Sequence, residues 1–250
     1  MKTKFCLLSV LCFFSFHSVL AQQPSEAQKL DSITITSTAI ELPFKKNSRT
    51  ITLISSEVIK QSPATNLAEL LQQEAGIDVR RQGINGMQAD LYIRGGSFDQ
   101  TLLLIDGIKV EDPQTGHHTL NMALPIEVIE RVEIIKGPAA RVFGQNAFTG
   151  AINIVTKSNA DTVNSVGYKL GSYNQQQASG TLGTNLENTS LIGHASVNTS
   201  DGYRDNTDFE NQNYFVKGRF NTSTNPIDVI GTFSERKFGA NQFYAVQSGY

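Results

Sequence analysis

Residues 91 to 157 constrain the fold most, because short β-prone runs alternate there with glycine turns at close spacing. Leu91 to Arg94 reads as a strand stopped by Gly95-Gly96. Thr101 to Ile105 reads as a second strand, and Asp106-Gly107 after it is the strongest short hairpin signal a sequence offers. Val132 to Ile135 and Ala151 to Thr156 add two more strands, separated by Gly137-Pro138 and further glycines. The pattern predicts a small, tightly turned α+β unit, and no catalytic grouping of side chains appears in it.

Three motifs within this stretch are specific. The first is Ile93-Arg94-Gly95, followed by the apolar Leu103-Leu104-Ile105 and Asp106-Gly107. The second is Val132-Glu133-Ile134-Ile135-Lys136-Gly137-Pro138. The third runs through Gly144, Ala147 and Gly150 to Ile152-Asn153-Ile154-Val155-Thr156. Together they resemble the plug domain of TonB-dependent outer-membrane receptors. Two positions depart from the family pattern: Phe143 stands where tyrosine is usual, and Thr149 replaces the first glycine of a pair. Phe143 keeps an aromatic plate and loses only a hydroxyl. Thr149 bears on the turn geometry, because a β-branched residue resists the positive φ that glycine permits.

The amino terminus agrees with export. Lys2 and Lys4 precede a mostly apolar run from Phe5 to Leu20, and Val19-Leu20-Ala21 has the form of a cleavage site. Residues 1–21 read as a secretory signal peptide, too short and too interrupted by Ser15, His17 and Ser18 to span a membrane. Cys6 and Cys12, the chain's two cysteines, both fall inside it, so the mature chain is expected to rely on packing without disulfides. A lipoprotein anchor at Cys12 is disfavoured by Leu11 before it and by the later Ala21 site. The formal charge of −2, with no basic stripe, excludes an electrostatic case for nucleic acid. No later apolar run approaches the length of a transmembrane helix, so membrane insertion would require a β-barrel.

Residues 22–47 begin polar and read as a flexible segment. Within them Asp31-Ser32-Ile33-Thr34-Ile35-Thr36-Ser37-Thr38 alternates with β propensity and has no evident partner strand. One reading is a frayed terminal strand. The family resemblance implies the other, a TonB box (31–38) that recruits a periplasmic energy transducer. An extended segment suits that task, because it can add an edge strand to a partner's sheet. The stretch before Asp31 is too short for the signalling or extension domains of some relatives, which implies a plain transporter.

The plug is expected over 48–157. Ile51 to Ile54 reads as a strand, and Thr65 to Gln73 as a helix with Leu67, Leu70 and Leu71 on one face and Gly76 to end it. Ile77 to Arg80 reads as the next strand, and a second short helix is expected to start near Pro125.

Over 158–250 the texture changes to period-two alternation. Leu191, Gly193, Ala195 and Val197 alternate with Ile192, His194 and Ser196. Tyr214, Val216, Gly218 and Phe220 alternate with Phe215, Lys217 and Arg219, and Ile227, Val229, Gly231 and Phe233 with Asp228, Ile230 and Thr232. Val166 to Leu170 and Gln175 to Leu182 suggest two further strands. The expected fold is therefore an α+β plug followed by the first antiparallel strands of a transmembrane β-barrel, with the barrel incomplete. A soluble β-sandwich shows the same period; long strands and the inward charges Lys217 and Arg219 favour the barrel. Transporters of this kind close with about 22 strands, so the chain reads as the front of a longer receptor.

Arg94 and Arg141 are the candidates for a latch between plug and barrel carboxylates, the alternative being solvent-exposed turn arginines. Glu130 and Glu133, one helical turn apart or across a helix–strand junction, read as internal salt-bridge partners rather than catalytic carboxylates. His117-His118 lies in the loop from Glu111 to Thr119, expected at the outer apex, where a ligand contact fits better than a two-histidine metal site. Asp201, Asp205, Asp208 and Glu210 form an acidic run in an extracellular loop. Calcium could bind there, but the spacing does not match a twelve-residue calcium loop, so a solvated loop is expected and no cofactor is assigned.

The resemblance implies energy-coupled import of a scarce nutrient, a ferric siderophore or cobalamin, across the outer membrane of a Gram-negative cell. The implied partners are that ligand, outer-membrane lipid and the transducer. A glycan or peptide importer of the SusC type and a soluble periplasmic binding module are the alternatives. Neither a nucleophile elbow nor a spaced zinc motif is present, which argues against an enzyme.

Overall fold

Two five-stranded sheets frame the described chain. The computed structural model describes residues 34–35, 42–43, 51–83, 87–112, 114–117, 119–121, 124–138, 143, 145–161, 163–241 and 243 of the 250. The leader, most of the TonB-box assignment (Asp31, Ser32, Ile33, Thr36, Ser37), Arg141, Gly144 and His118 lie outside the described residues.

In chain order the elements begin with the two-residue strands β1 (Thr34–Ile35) and β2 (Leu42–Pro43), which pair antiparallel. The segment expected to lack a partner strand thus has one, supplied by its own chain. β3 (Ile51–Ser55) leads into a helix that periodicity does not announce, α1 (Ser56–Gln61), capped by the Ser55 side chain. α2 (Leu67–Gln72) follows, with Asn66 Oδ1 accepting from the Glu69 amide at 2.9 Å and Leu67, Leu70 and Leu71 buried. β4 (Ile77–Gln82) and β5 (Gln88–Ile93) form a hairpin. β6 (Thr101–Ile105), β7 (Ile108–Val110), β8 (Ile129–Lys136) and β9 (Gly150–Thr156) complete this half.

The first sheet has the order β3-β8-β9-β6-β7, with β6 and β9 parallel and the other pairs antiparallel. One face carries Ile54, Leu103, Val132, Ile134, Ile152 and Ile154 into the main core with the helices and the β4–β5 hairpin. The other carries Leu102, Leu104, Ile135 and Ala151 into a smaller cluster, against which Phe143 packs as the aromatic plate the motif requires.

Two expectations are corrected here. The helix near Pro125 is a single 3-10 turn, Ile126–Val128, with Pro125 extended at its cap, because the chain enters β8 at once. Glu130 and Glu133 are not on a helix: both lie in β8, where Glu130 is the extra residue of a bulge between Ile129 and Arg131.

The second sheet is a meander of β10 (Ser165–Leu170), β11 (Gln176–Leu186), β12 (Thr189–Ser200), β13 (Phe209–Phe220) and β14 (Ile227–Phe238) in sequential antiparallel order. β12, β13 and β14 are each 12 residues long, enough to cross hydrocarbon as tilted strands. One face is apolar and exposed: Val166, Leu182, Tyr214, Val216, Val229 and Phe233 stand on it. The other turns Ile192 and Phe215 into the core of the first half, with Ile230 packed against it. An exposed apolar face opposite a buried mixed one is the burial expected of a barrel wall wrapped around a plug. No helix among the described residues is long and apolar enough to cross a membrane, which says nothing of strands.

Candidate functional site

The three sequence motifs converge on one hydrogen-bonded hub. Asp106 (φ 48°) and Gly107 (φ 81°) both take left-handed conformations in the two-residue β6–β7 turn, which is why aspartate and glycine stand there. The Asp106 carboxylate accepts from the Thr156 amide at 2.8 Å and from its hydroxyl at 2.6 Å. Gly107 N donates to Asn153 Oδ1 at 2.9 Å, and Asn153 Nδ2 donates to Glu133 Oε2 at 3.1 Å. Arg131 Nε closes the chain on Glu133 Oε1 at 2.9 Å. Glu133 and Asn153 are fully buried, so each is held by its partners rather than by water. Glu133 is accordingly a salt-bridge partner within the fold.

The hub reaches across to the wall. Lys217 of β13, only 3% exposed, donates from Nζ to Asp106 Oδ2 at 3.0 Å and to Thr156 Oγ1 at 2.6 Å. Its Nζ is 3.8 Å from Asp228 Oδ2 on β14. Asp228 Oδ1 lies 2.9 Å from Arg219 Nε, an ion pair by distance whose N–H is not aligned for a hydrogen bond. The ion pair across the seam therefore runs from a plug carboxylate to a wall cation, opposite in polarity to the expected arginine latch.

Arg94 follows β5 rather than ending it; it takes φ 51°, is exposed, and makes no ion pair among the described residues. Its amide donates to Gly76 O at 3.1 Å, and its guanidinium lies beside the Gly137 turn (φ 120°). Gly95 continues the left-handed path at φ 77°. Gly137 N donates to Thr149 O at 2.9 Å, and Pro138 follows it out of β8. Thr149 is not among the positive-φ residues. Its hydroxyl meets Thr101 Oγ1 at 2.9 Å and Gln100 O at 3.1 Å, and its methyl fills the space above Gly96. The departure from glycine carries no left-handed backbone strain at Thr149.

His117 packs into an aromatic group that sequence spacing does not announce. Its Nδ1 is 2.9 Å from Asp90 Oδ1, and its ring lies 4.3 Å from that of Phe98. Tyr92 meets Phe98 edge-on at 6.4 Å, and the Arg80 guanidinium sits 4.2 Å over Tyr92. Aromatics at Tyr92 and Phe98 flanking the Arg94 motif were the available signal. Asp201, Asp205, Asp208 and Glu210 do not gather into a cation site among the described residues.

The register of the wall sorts its inner face into rows. Nearest the two-residue turn 187–188 stand Asn185, Ser190, Arg219 and Asp228. Next come Gly183, Ile192, Lys217 and Ile230, then Thr181, His194, Phe215 and Thr232. Beyond them stand Ser179, Ser196, Asn213 and Ser234, then Gln177, Asn198, Asn211 and Arg236, and at the end Ser200, Phe209 and Phe238. The plug is thus gripped by an apolar belt with a buried lysine in it, beside a polar wall.

Comparison with known proteins fits this geometry. Residues 43–151 match the TonB-dependent Receptor Plug Domain family. The Vitamin B12 transporter BtuB of Vibrio vulnificus (strain CMCP6) is 34% identical over 141 residues, 56% of this chain and 23% of the relative. The same transporter from Vibrio cholerae (strain ATCC 39541) is 31% identical over 156 residues, 62% of this chain and 25% of the relative. The chain spans about a quarter of the length of these relatives. Among solved structures, Pseudomonas aeruginosa FpvA bound to a pyoverdine–iron complex superposes with TM-score 0.67 at 16% identity, covering 81% of this chain and 27% of that one. The Escherichia coli ferric-catecholate import receptor Fiu superposes with TM-score 0.59 at 23% identity, over 78% of this chain and 28% of that one. With motif hub, seam and inward-facing wall in place, residues 43–151 match the plug-domain family, and the chain shares the fold of the front part of these solved receptors.

Proposed function

We propose that this chain forms the plug and first wall of an outer-membrane receptor that imports a scarce nutrient complex, a cobalamin or a ferric siderophore, using energy drawn from a periplasmic transducer. The observation that carries the reading is the seam: a plug held against the wall by an apolar belt and one buried lysine–aspartate contact. Such a stopper is firm at rest and releasable, because the polar contact is local to one turn. The likeness to proteins named as vitamin B12 transporters supports cobalamin, and the receptor folds that superpose support siderophores only at the level of architecture.

The longest and the shortest connections support one orientation of the wall. The connection 201–208 is longer than the turn 187–188, and barrels of this class place short turns in the periplasm and long loops outside. His117, Phe98 and Tyr92 then offer an aromatic ledge on the plug for ligand contact. The box works by strand addition. Thr34–Ile35 is already extended and paired with Leu42–Pro43, and Pro43 has no amide to donate, so this two-residue pair is weak and a transducer strand can replace it. Ligand must favour the state in which that exchange occurs.

The decisive experiment uses the intact receptor in cells with labelled cyanocobalamin and a labelled ferric siderophore. Ile33→Pro is expected to abolish uptake while surface binding persists. Uptake at the wild-type rate by that variant would refute the assignment of the box.

A further inference from the structure

Two rows of the wall beyond His194 carry Gln177, Asn198, Asn211 and Asn213 together with serines and Arg236, an amide-rich surface between the belt and the end row of Ser200, Phe209 and Phe238. Across from it stand Thr65 to Ala68 and Leu120, Leu124, Pro125 and Glu127 of the plug, and a cleft of about 100 Å³ lies between. Its formal charges, Arg236 and Glu127, cancel, and Arg236 is already engaged. Asn211 is 6% exposed, lines the cleft, and its Oδ1 has no hydrogen-bond partner among the described residues. The neighbouring amides donate at the limit of range, Gln175 Nε2 to Asn198 Oδ1 and Asn213 Nδ2 to the Ser196 hydroxyl, both at 3.5 Å. A buried acceptor left unpaired beside slack amides asks for an outside donor.

We infer that this cleft is a hydrogen-bonding subsite for uncharged, carboxamide-bearing cargo. A side-chain amide offers one acceptor and two donors, which a carboxamide matches reciprocally. An anionic chelate finds no free cation in the cleft and would lose hydration against neutral amides. A site built to hydrogen-bond its ligand rejects one lacking the matching group. The inference rests on the import reading and deepens it. The corrin periphery of cobalamin carries several carboxamides, whereas ferric tris-catecholates are anions. The volume fits one such arm, not a whole cargo, so the subsite supplements an outer binding surface.

The test uses the intact receptor, with cyanocobalamin and ferric enterobactin as probes. Cyanocobalamin binding is expected to weaken about tenfold in Asn211→Leu, the equivalent of one lost hydrogen bond. A smaller loss is expected in Asn198→Ala, which serves if the first variant does not reach the folded, heat-modifiable form on a gel. Unchanged cyanocobalamin affinity in both variants would show the cleft to be filled by water alone and overturn the subsite. Energy-dependent uptake of ferric enterobactin without cyanocobalamin would overturn the subsite and leave the import reading standing. Uptake of neither probe would count against the import reading, and the inference falls with it.

Discussion

At the scale of single residues, the plug places ordinary side chains in conformations that usually select glycine. Arg94 sits at φ 51° between Ile93 and Gly95, exposed and without an ion pair among the described residues. A left-handed conformation costs a residue with a Cβ about 1–2 kcal/mol, and glycine returns about 0.5–1 kcal/mol of that in chain entropy. Arg94→Gly is therefore expected to leave plug stability unchanged or to raise it by up to about 1 kcal/mol, read by pulse proteolysis of the intact receptor. A loss of more than about 1 kcal/mol would show that the guanidinium holds the plug together. Thr149 teaches the converse. At position 149 the sequence does not say whether the turn demands positive φ, and the Thr149 hydroxyl instead contacts Thr101 and Gln100.

At the scale of elements, the β8–β9–β6 core depends on a close approach at Gly150. A Cβ there would collide with the Ile135 carbonyl oxygen and lie 2.9 Å from Ile93 Cδ1, where β9 meets both Lys136 and Thr101 in register. Gly150→Ala is expected to destabilise the plug by about 1–3 kcal/mol, with the faster amide exchange concentrated in β8 and β9. Exchange unchanged in those strands would show that the sheet yields without cost. Strands were the most legible elements, because Asp106-Gly107 and the period-two runs encode a local geometry that needs no distant partner. α1 escaped because six residues with a single buried side chain, Ile59, make no periodic stripe. The parallel pairing of β6 with β9 escaped because it joins residues about fifty apart, and no short-range signal specifies it. The inward lysine at 217 was visible as a charge on the wrong face of an apolar strand; its partner Asp106 was not, since 111 residues separate them.

At the scale of the whole molecule, the issue is what holds the plug inside its wall. The apolar belt of Ile192, Phe215 and Ile230 is continuous with the plug core and supplies nondirectional adhesion. Asp106 and Lys217 supply the directional part, and both are largely removed from water. A buried pair of this kind adds little relative to a well-packed apolar substitute, but breaking it leaves an uncompensated charge. Asp106→Asn and Lys217→Met are each expected to lower plug stability by about 3 kcal/mol in the intact receptor, with the smaller effect in Asp106→Asn, where Asp228 remains 3.8 Å from the stranded Lys217. The double variant should cost less than the sum by about 1–3 kcal/mol, because the second change removes the charge the first one stranded. Salt should alter these values little, since screening acts weakly on a pair out of solvent. Strict additivity would mean that the two residues do not act on each other and that the belt alone retains the plug. Strong coupling, in contrast, would identify the β6–β7 turn as the point at which a pull transmitted through the plug must first separate it from the wall.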